Sequence, residues 1–279
     1  MGRSLGGLMG MVVRARRLIA VGLVGCAVLV GCGSGRGSSI LGKGTLLVGV
    51  RPDLPGIGMR RADGRFEGLD VDVARYLAGR LGKDVRFVAA LASDRETLLL
   101  EGRADLVLTF SVMPERKRRL TFAGPYYLAY QDILVRDDER GIRGVRDLKG
   151  RRICDVAGAR AAVRVTEERR VAAVPVPAKS YDECMAMLRD RRIDAITTND
   201  TILAGLKARH GGVRILNARF GERRTAVGMR RNDPDGCEAV NRAITQMYQD
   251  GTMPKLMHKW FADTGLDLST VAIPQFEGC

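Results

Sequence analysis

Histidine is nearly missing from this chain: His210 and His258 are the only two in 279 residues. With so few, no Ser–His or Cys–His dyad stands out for nucleophilic catalysis. The six cysteines include no C-x-x-C pair, so zinc is not expected either, and no metal or cofactor is implied. Long apolar runs are scarce too. The N-terminal run "LIAVGLVGCAVLV", 18–30, is 13 uncharged residues behind Arg3, Arg14, Arg16 and Arg17. It is short of the roughly 20 residues that span a bilayer and has the charge-then-apolar order of an export signal. Acidic residues are outnumbered, 32 against 46 Lys and Arg, for a formal net charge of +14. Removing 1–31 takes away those four arginines and no acid, lowering the charge to +10. Such a balance would suit nucleic acid if it were gathered in a stripe or tail. From Gly33 onward it is spread through the chain, and an exported protein rarely meets nucleic acid. An anionic surface or an acidic ligand is the expectation.

Two "LVGC" sites, ending at Cys26 and Cys32, resemble the lipobox of bacterial lipoproteins, in which the cysteine becomes the lipidated first residue. Cys32 is the expected acceptor, because cutting before Cys26 would strand a second hydrophobic run outside. An uncleaved N-terminal anchor is the alternative. The expected division is a signal peptide over 1–31 and a lipidated Gly/Ser tether over 32–40, ending "GSGRGSSI". Several acyl chains on one cysteine would hold a soluble domain, extracytoplasmic, at the cell membrane. In that oxidising compartment Cys154, Cys184, Cys237 and Cys279 can pair in three ways.

The remaining chain alternates strand and helix. "TLLVGV" (45–50), "DVRFVAA" (84–90) and "ADLVLT" (104–109) read as buried strands. Between them, Asp70 is placed to cap a helix whose Val73, Ala74, Leu77, Ala78 and Leu81 share a face, and "DRETLLLEG" supplies a second helix. The pattern recurs with strands at 151–156, 171–176 and 194–198 and helices near Ala161–Arg170 and Tyr181–Arg189. "LLEGRADLVLT" and "LRDRRIDAITT" align, Leu99 with Leu188 and Asp105 with Asp194. The class predicted is α/β, with two largely parallel-sheet lobes. "YQDILVR" (130–136) leaves the first lobe and "TAVGMR" (225–230) returns. Lobe one is thus expected over 41–133 and 230–279, lobe two over 134–229, joined as a hinged clam shell that closes on a ligand.

Ligands of open α/β sheets sit beyond the carboxyl ends of the strands. In lobe one that rule selects Arg51 and Asp53, Ser93 and Arg95, then Ser111 to Arg116. In lobe two it selects Gly158, Ala159, Arg160 and Ala161, then Asn199 and Asp200. Three arginines converge on one cleft.

The ordered set "LLVGVRPDLPG", "EGLDVDVARYL", "SDRETLL", "SVMPERKRRLTFAGPYY" and "DAITTNDTILAGL" resembles the polar amino-acid-binding proteins of bacterial ABC importers, and within them the glutamate/aspartate-binding branch. The resemblance covers about residues 41–265. It implies a two-lobed type II periplasmic-binding-protein fold, no catalysis, a monomer, and delivery of an amino acid to an ABC permease. By the match, Arg116 forks onto the ligand's α-carboxylate, as a planar guanidinium suits. Ser111 adds its hydroxyl and N–H, and Thr109 offers a carbonyl to the α-ammonium. Arg51 and Arg95 match arginines that hold a side-chain carboxylate in acidic-ligand members. Lys117, Arg118 and Arg119 are left to solvent.

The chain departs from that pattern in lobe two. "GARAA" replaces the hydroxyl residues at the helix start, with Arg160 either substituting for them or facing solvent, and Asn199 stands where the family has an aspartate, with Asp200 next along. No aromatic lid follows the first strand. The closest branch carries cysteines like Cys154 and Cys184, which implies that pair within lobe two and Cys237 with Cys279 in lobe one. Two other readings compete: a receptor for another small carboxylate or polar amino acid, and a dehydratase-like enzyme on the same fold with Asp53 or Asp200 as its acid or base.

Overall fold

A computed structural model describes residues 39–266, 268 and 271–279. The expected signal peptide, the expected lipidation site at Cys32 and the expected tether as far as residue 38 lie outside the described residues. Of the last two positions assigned to the tether, Ser39 caps a short 3-10 turn and hydrogen-bonds Asp233 at 2.7 Å, and Ile40 is buried.

The first half runs β1 (Thr45–Val50), β2 (Asp53–Leu54), β3 (Gly58–Arg60), β4 (Phe66–Glu67), α1 (Leu69–Arg80), β5 (Asp84–Ala89), α2 (Arg95–Leu100), β6 (Leu106–Ser111), α3 (Pro114–Lys117) and β7 (Leu120–Arg136). The second runs β8 (Arg152–Val156), α4 (Ala161–Val163) continued by a π turn over Arg164–Glu168, β9 (Val174–Ala178), α5 (Tyr181–Arg189), β10 (Ile196–Asn199), α6 (Asp200–His210) and β11 (Val213–Ile215). The chain then returns through β12 (Glu222–Arg230) to α7 (Pro234–Gln249) and α8 (Thr252–Phe261).

In the first lobe β1 lies between β5 and β6, parallel to both, and β12 and β7 extend that sheet antiparallel. In the second lobe β8 pairs parallel with β9 and, through Ile153 and Ala195, with the strand leading into β10. β7 belongs to both. Its residues up to Tyr130 pair with β12, and Gln131 to Arg136 pair with β10 and β11. Both expected crossing segments are therefore strand, and β12 is bonded to β6 from Thr225 to Met229.

Asp70 does not cap α1. Gly68 holds that place at φ 129°, a conformation open to glycine, and Asp70, one turn-residue inside, is fully buried. Apolar residues of α1, α7, α8 and β1 share one core that continues into Met185, Leu188 and Leu203 of the second half. Cys154 is bonded to Cys184, and Cys237 to Cys279, with Cα separations of 5.8 and 5.9 Å. Each bridge stays within one lobe. The second ties the tail against α7, beside a backbone bond from Glu277 N–H to Gly124 carbonyl at 2.9 Å.

Candidate functional site: an arginine-lined cleft

β1 delivers Arg51 into the interior, 2% exposed. It forks onto Asp53, Nε to Oδ1 and Nη2 to Oδ2, both at 2.8 Å. The β2–β3 hairpin folds back tightly over it, since a Cβ on Gly58 would lie 2.6 Å from the Arg51 carbonyl oxygen. Arg51 is thus largely neutralised by its own neighbour.

Near the end of β6, Thr109 adopts φ 50°, a region costly for a branched residue. Three bonds hold it. Its N–H donates to the Tyr126 hydroxyl at 3.0 Å, its own hydroxyl donates to Asp70, and Tyr126 donates to the other Asp70 oxygen at 2.6 Å. Burial pushes the Asp70 carboxyl up to about 6, against the opposing pull of those two hydroxyls. The buried aspartate therefore sets the backbone of the strand end that carries the site.

The Thr109 carbonyl accepts from Arg95 Nη1. Arg116 donates Nη1 to the Ser111 carbonyl at 3.1 Å and Nε to Glu96 at 3.2 Å. Both guanidiniums lie 4.8 Å from the Phe110 ring centroid, a cation–π arrangement. Both also donate across the cleft to the Gly158 carbonyl, at 3.4 Å from Arg95 and 3.1 Å from Arg116. A Cβ on Gly158 would sit 2.5 Å from the Ala92 carbonyl oxygen, so the two loops meet only because Gly158 lacks one. Burial first, then Arg116 and Arg51, push the Arg95 pKa well down; burial also lowers that of Arg116, with Glu96 opposing.

Of the residues that the strand-end rule and the family resemblance select, the structure brings together Arg51, Asp53, Arg95, Thr109, Ser111, Arg116 and Gly158. It does not bring in all of them. Ser93 is exposed and bonded to Asp94. Arg160 has an exposed side chain that reaches Glu115 at 3.5 Å on the rim, the solvent-facing one of its two expected placements. Asp200 is engaged elsewhere in this structure. Its carboxylate holds Arg219 at 3.1 Å and the N–H groups of Tyr130 and Thr201, and it lines a different cavity with Tyr127, Tyr130, Arg219 and Tyr248. Ala159 is half-buried in the loop. Asn199, 5% exposed, stands at the start of α6 without making a side-chain cap.

Sequence reasoning missed four buried groups here: Asp70, Gln131, Arg164 and Tyr181. Gln131, on the shared strand, donates to the Ala161 carbonyl and to Thr197 Oγ1, both at 3.0 Å. Tyr181 donates to Thr198 at 2.6 Å. The strand-end rule names loops, and Arg164 and Tyr181 sit in the helices that follow them.

The profile of the bacterial extracellular solute-binding proteins, family 3, matches residues 46–263. The chain belongs to this family. It is a solute-binding protein of amino-acid ABC transport, and its neighbours in structure have the type II periplasmic fold. It is 32% identical to the glutamate-binding protein GluB of Corynebacterium glutamicum over 82% of this chain and 84% of that one. It is 29% identical to the L-cystine-binding protein TcyJ of Escherichia coli, over 78% and 83% respectively. Among solved structures, an ancestral amino-acid-binding protein, AncCDT-1, a precursor of cyclohexadienyl dehydratase, superposes with a TM-score of 0.71 at 30% identity, covering 78% of this chain and 96% of that one. The family is extracellular, and no helix among the described residues is long and apolar enough to cross a membrane.

Proposed function

We propose that this family member captures an acidic amino acid, glutamate or aspartate, for an ABC importer, anchored at the cell membrane through lipidated Cys32 and acting as a monomer. The observation that carries the reading is the pair Arg95 and Arg116. Both are buried and stacked on Phe110, and Glu96 is the one side-chain carboxylate that either of them hydrogen-bonds among the described residues. The cleft is short of negative charge, which an acidic ligand would supply. The likeness to GluB supports the same choice. Arg116 would take the α-carboxylate with Ser111, and Arg95 with Arg51 would face the side-chain end. Asp53 is engaged by Arg51 and Asp200 by Arg219, so Asn199 is left to meet the ammonium. The hinge falls where β7 changes partner, at Tyr130 and Gln131, and at the start of β12, a few residues before the boundaries that the sequence suggested.

The likeness to a dehydratase precursor favours a second reading, an enzyme. Against it, Asp53 and Asp200 are both held in ion pairs. Asp70, whose pKa would suit an acid–base role, is fully buried behind Thr109 and Tyr126. Calorimetry of the mature domain against L-glutamate, L-aspartate, L-glutamine and glutarate tests the proposal. Tight glutamate binding with weak glutarate binding is expected. Equal affinity for the two would remove the amino-acid assignment, and turnover of a cyclic carboxylate would replace it with the enzyme.

A further inference from the structure

None of the motifs that carry the family resemblance includes Arg164, yet the fold buries it to 3% exposure. Its Nε has no hydrogen-bond partner among the described residues, and its ion-pair neighbour, Glu168, stands 3.9 Å away. That glutamate is half exposed and lies closer to Arg223, at 3.1 Å. The one acid near Arg164 is therefore already bonded to Arg223, and a buried cation left without a close partner is costly unless a further anion meets it. Arg164 follows Ala161 by three positions and so shares its helical face. The Ala161 carbonyl is the group bonded by Gln131 on the strand common to both lobes. Burial raises the Tyr181 phenol's pKa, and its bond to Thr198, then the charges of Arg51 and Arg95 of the first lobe and Arg164 of the second, oppose this. Burial, then Arg223, pushes Arg164 down to about 10, with Arg116 among the neighbours adding to this.

We infer that Arg164 is a specificity-determining residue, the second lobe's cation for the distal carboxylate of a dianionic ligand whose other carboxylate is held by Arg116. The ligand then bridges a cation from each lobe, and closure depends on its second negative charge. This rests on the acidic-ligand reading. The test is calorimetry of L-glutamate and its neutral isostere L-glutamine on the mature domain and on Arg164→Gln, Arg164→Lys and Arg116→Ala. Removing one partner of a buried charge pair should lower the glutamate-to-glutamine affinity ratio of Arg164→Gln by about thirtyfold or more. Arg164→Lys, which keeps the charge, should recover most of that ratio and serves if the glutamine variant does not fold. Arg116→Ala should weaken both ligands. An unchanged ratio in Arg164→Gln, or an equal loss for both ligands, overturns the inference while glutamate binding by the parent stands. Parent protein that binds neither glutamate nor aspartate overturns the acidic-ligand reading, and the inference with it.

Discussion

The two lobes repeat one device with different strength. In the first, Asp105 N–H donates to the Leu47 carbonyl at 2.7 Å, and its carboxylate accepts from the Leu47 N–H at 2.9 Å. In the second, Asp194 N–H donates to the Arg152 carbonyl at 2.8 Å and accepts from the Arg152 N–H at 2.8 Å. Each aspartate thus clamps its strand to the first strand of the same lobe. Surroundings separate them. The Asp105 side chain is fully buried and faces Lys43 at 2.6 Å and Arg230 at 3.5 Å. Asp194 keeps 15% exposure and one cation, Arg152, which is itself 45% exposed. The same local geometry therefore carries different energy, because the dielectric around it and the number of charges left unpaired differ.

The largest expected effect breaks that pair. Asp105→Ala strands two cations and a backbone N–H, and should cost roughly 3–5 kcal/mol of unfolding free energy in urea titration. Asp194→Ala loses a backbone bond and a solvated ion pair, about 1–2 kcal/mol. Equal losses would mean that burial does not distinguish the lobes.

Next comes the cleft itself. Arg116→Ala should weaken glutamate binding by about 2–5 kcal/mol, since it leaves a desolvated carboxylate unpaired. Lys117→Ala, next along and paired with Glu277 near the surface, should cost under about 1 kcal/mol. Calorimetry on the two variants checks that the inward residue is Arg116.

Asp70 sharpens the comparison through pH. Its carboxyl titrates near 6 in the folded protein, against 3.8 for an ordinary aspartate. The folded state therefore holds the proton more tightly. The stability this contributes is full below about pH 4 and is lost as pH rises through about 6, on the order of 3 kcal/mol in total. Asp70→Asn should remove this component. The difference between parent and variant unfolding free energies, followed from pH 4 to 7.5, should change by that amount, and a flat difference would place the titration elsewhere.

The smallest effect concerns closure. A Cβ on Gly205 of α6 would overlap the Pro55 carbonyl oxygen of the first lobe. Gly205→Ala should hold the lobes slightly apart and weaken ligand binding by about 1–2 kcal/mol. The melting temperature of the ligand-free domain should move by only a few degrees. A large loss of stability without ligand would instead make this contact part of the resting fold.

Much of this was legible in the chain. Strands over 45–50, 84–89 and 106–109, the α5 limits Tyr181–Arg189 and the repeated Leu–Asp pattern follow from apolar periodicity and turn residues, which act over a few positions. The inward turn of Arg116 and both disulfides followed from the family resemblance. Less legible was the site's second layer. Asp70 reads as a helix cap because aspartate is common at that place, but Thr109, 39 residues on, draws it inward. Asp200 reads as a cleft residue until Arg219 is folded beside it.

The sequence by itself determined the alternation of elements, the two-lobed class, the basic character of the cleft and the family, since each rests on residue order and local pattern. Only the tertiary structure decided which charges remain unsatisfied. Arg51 is cancelled by Asp53 and Asp200 by Arg219, while Arg164, one helical turn past the loop, is left buried with a distant acid. Residue order does not carry that information. Whether a guanidinium is neutralised depends on which strands and helices are packed within a few ångströms of it, and the electrostatic energy of each pair is set by how much water that packing excludes.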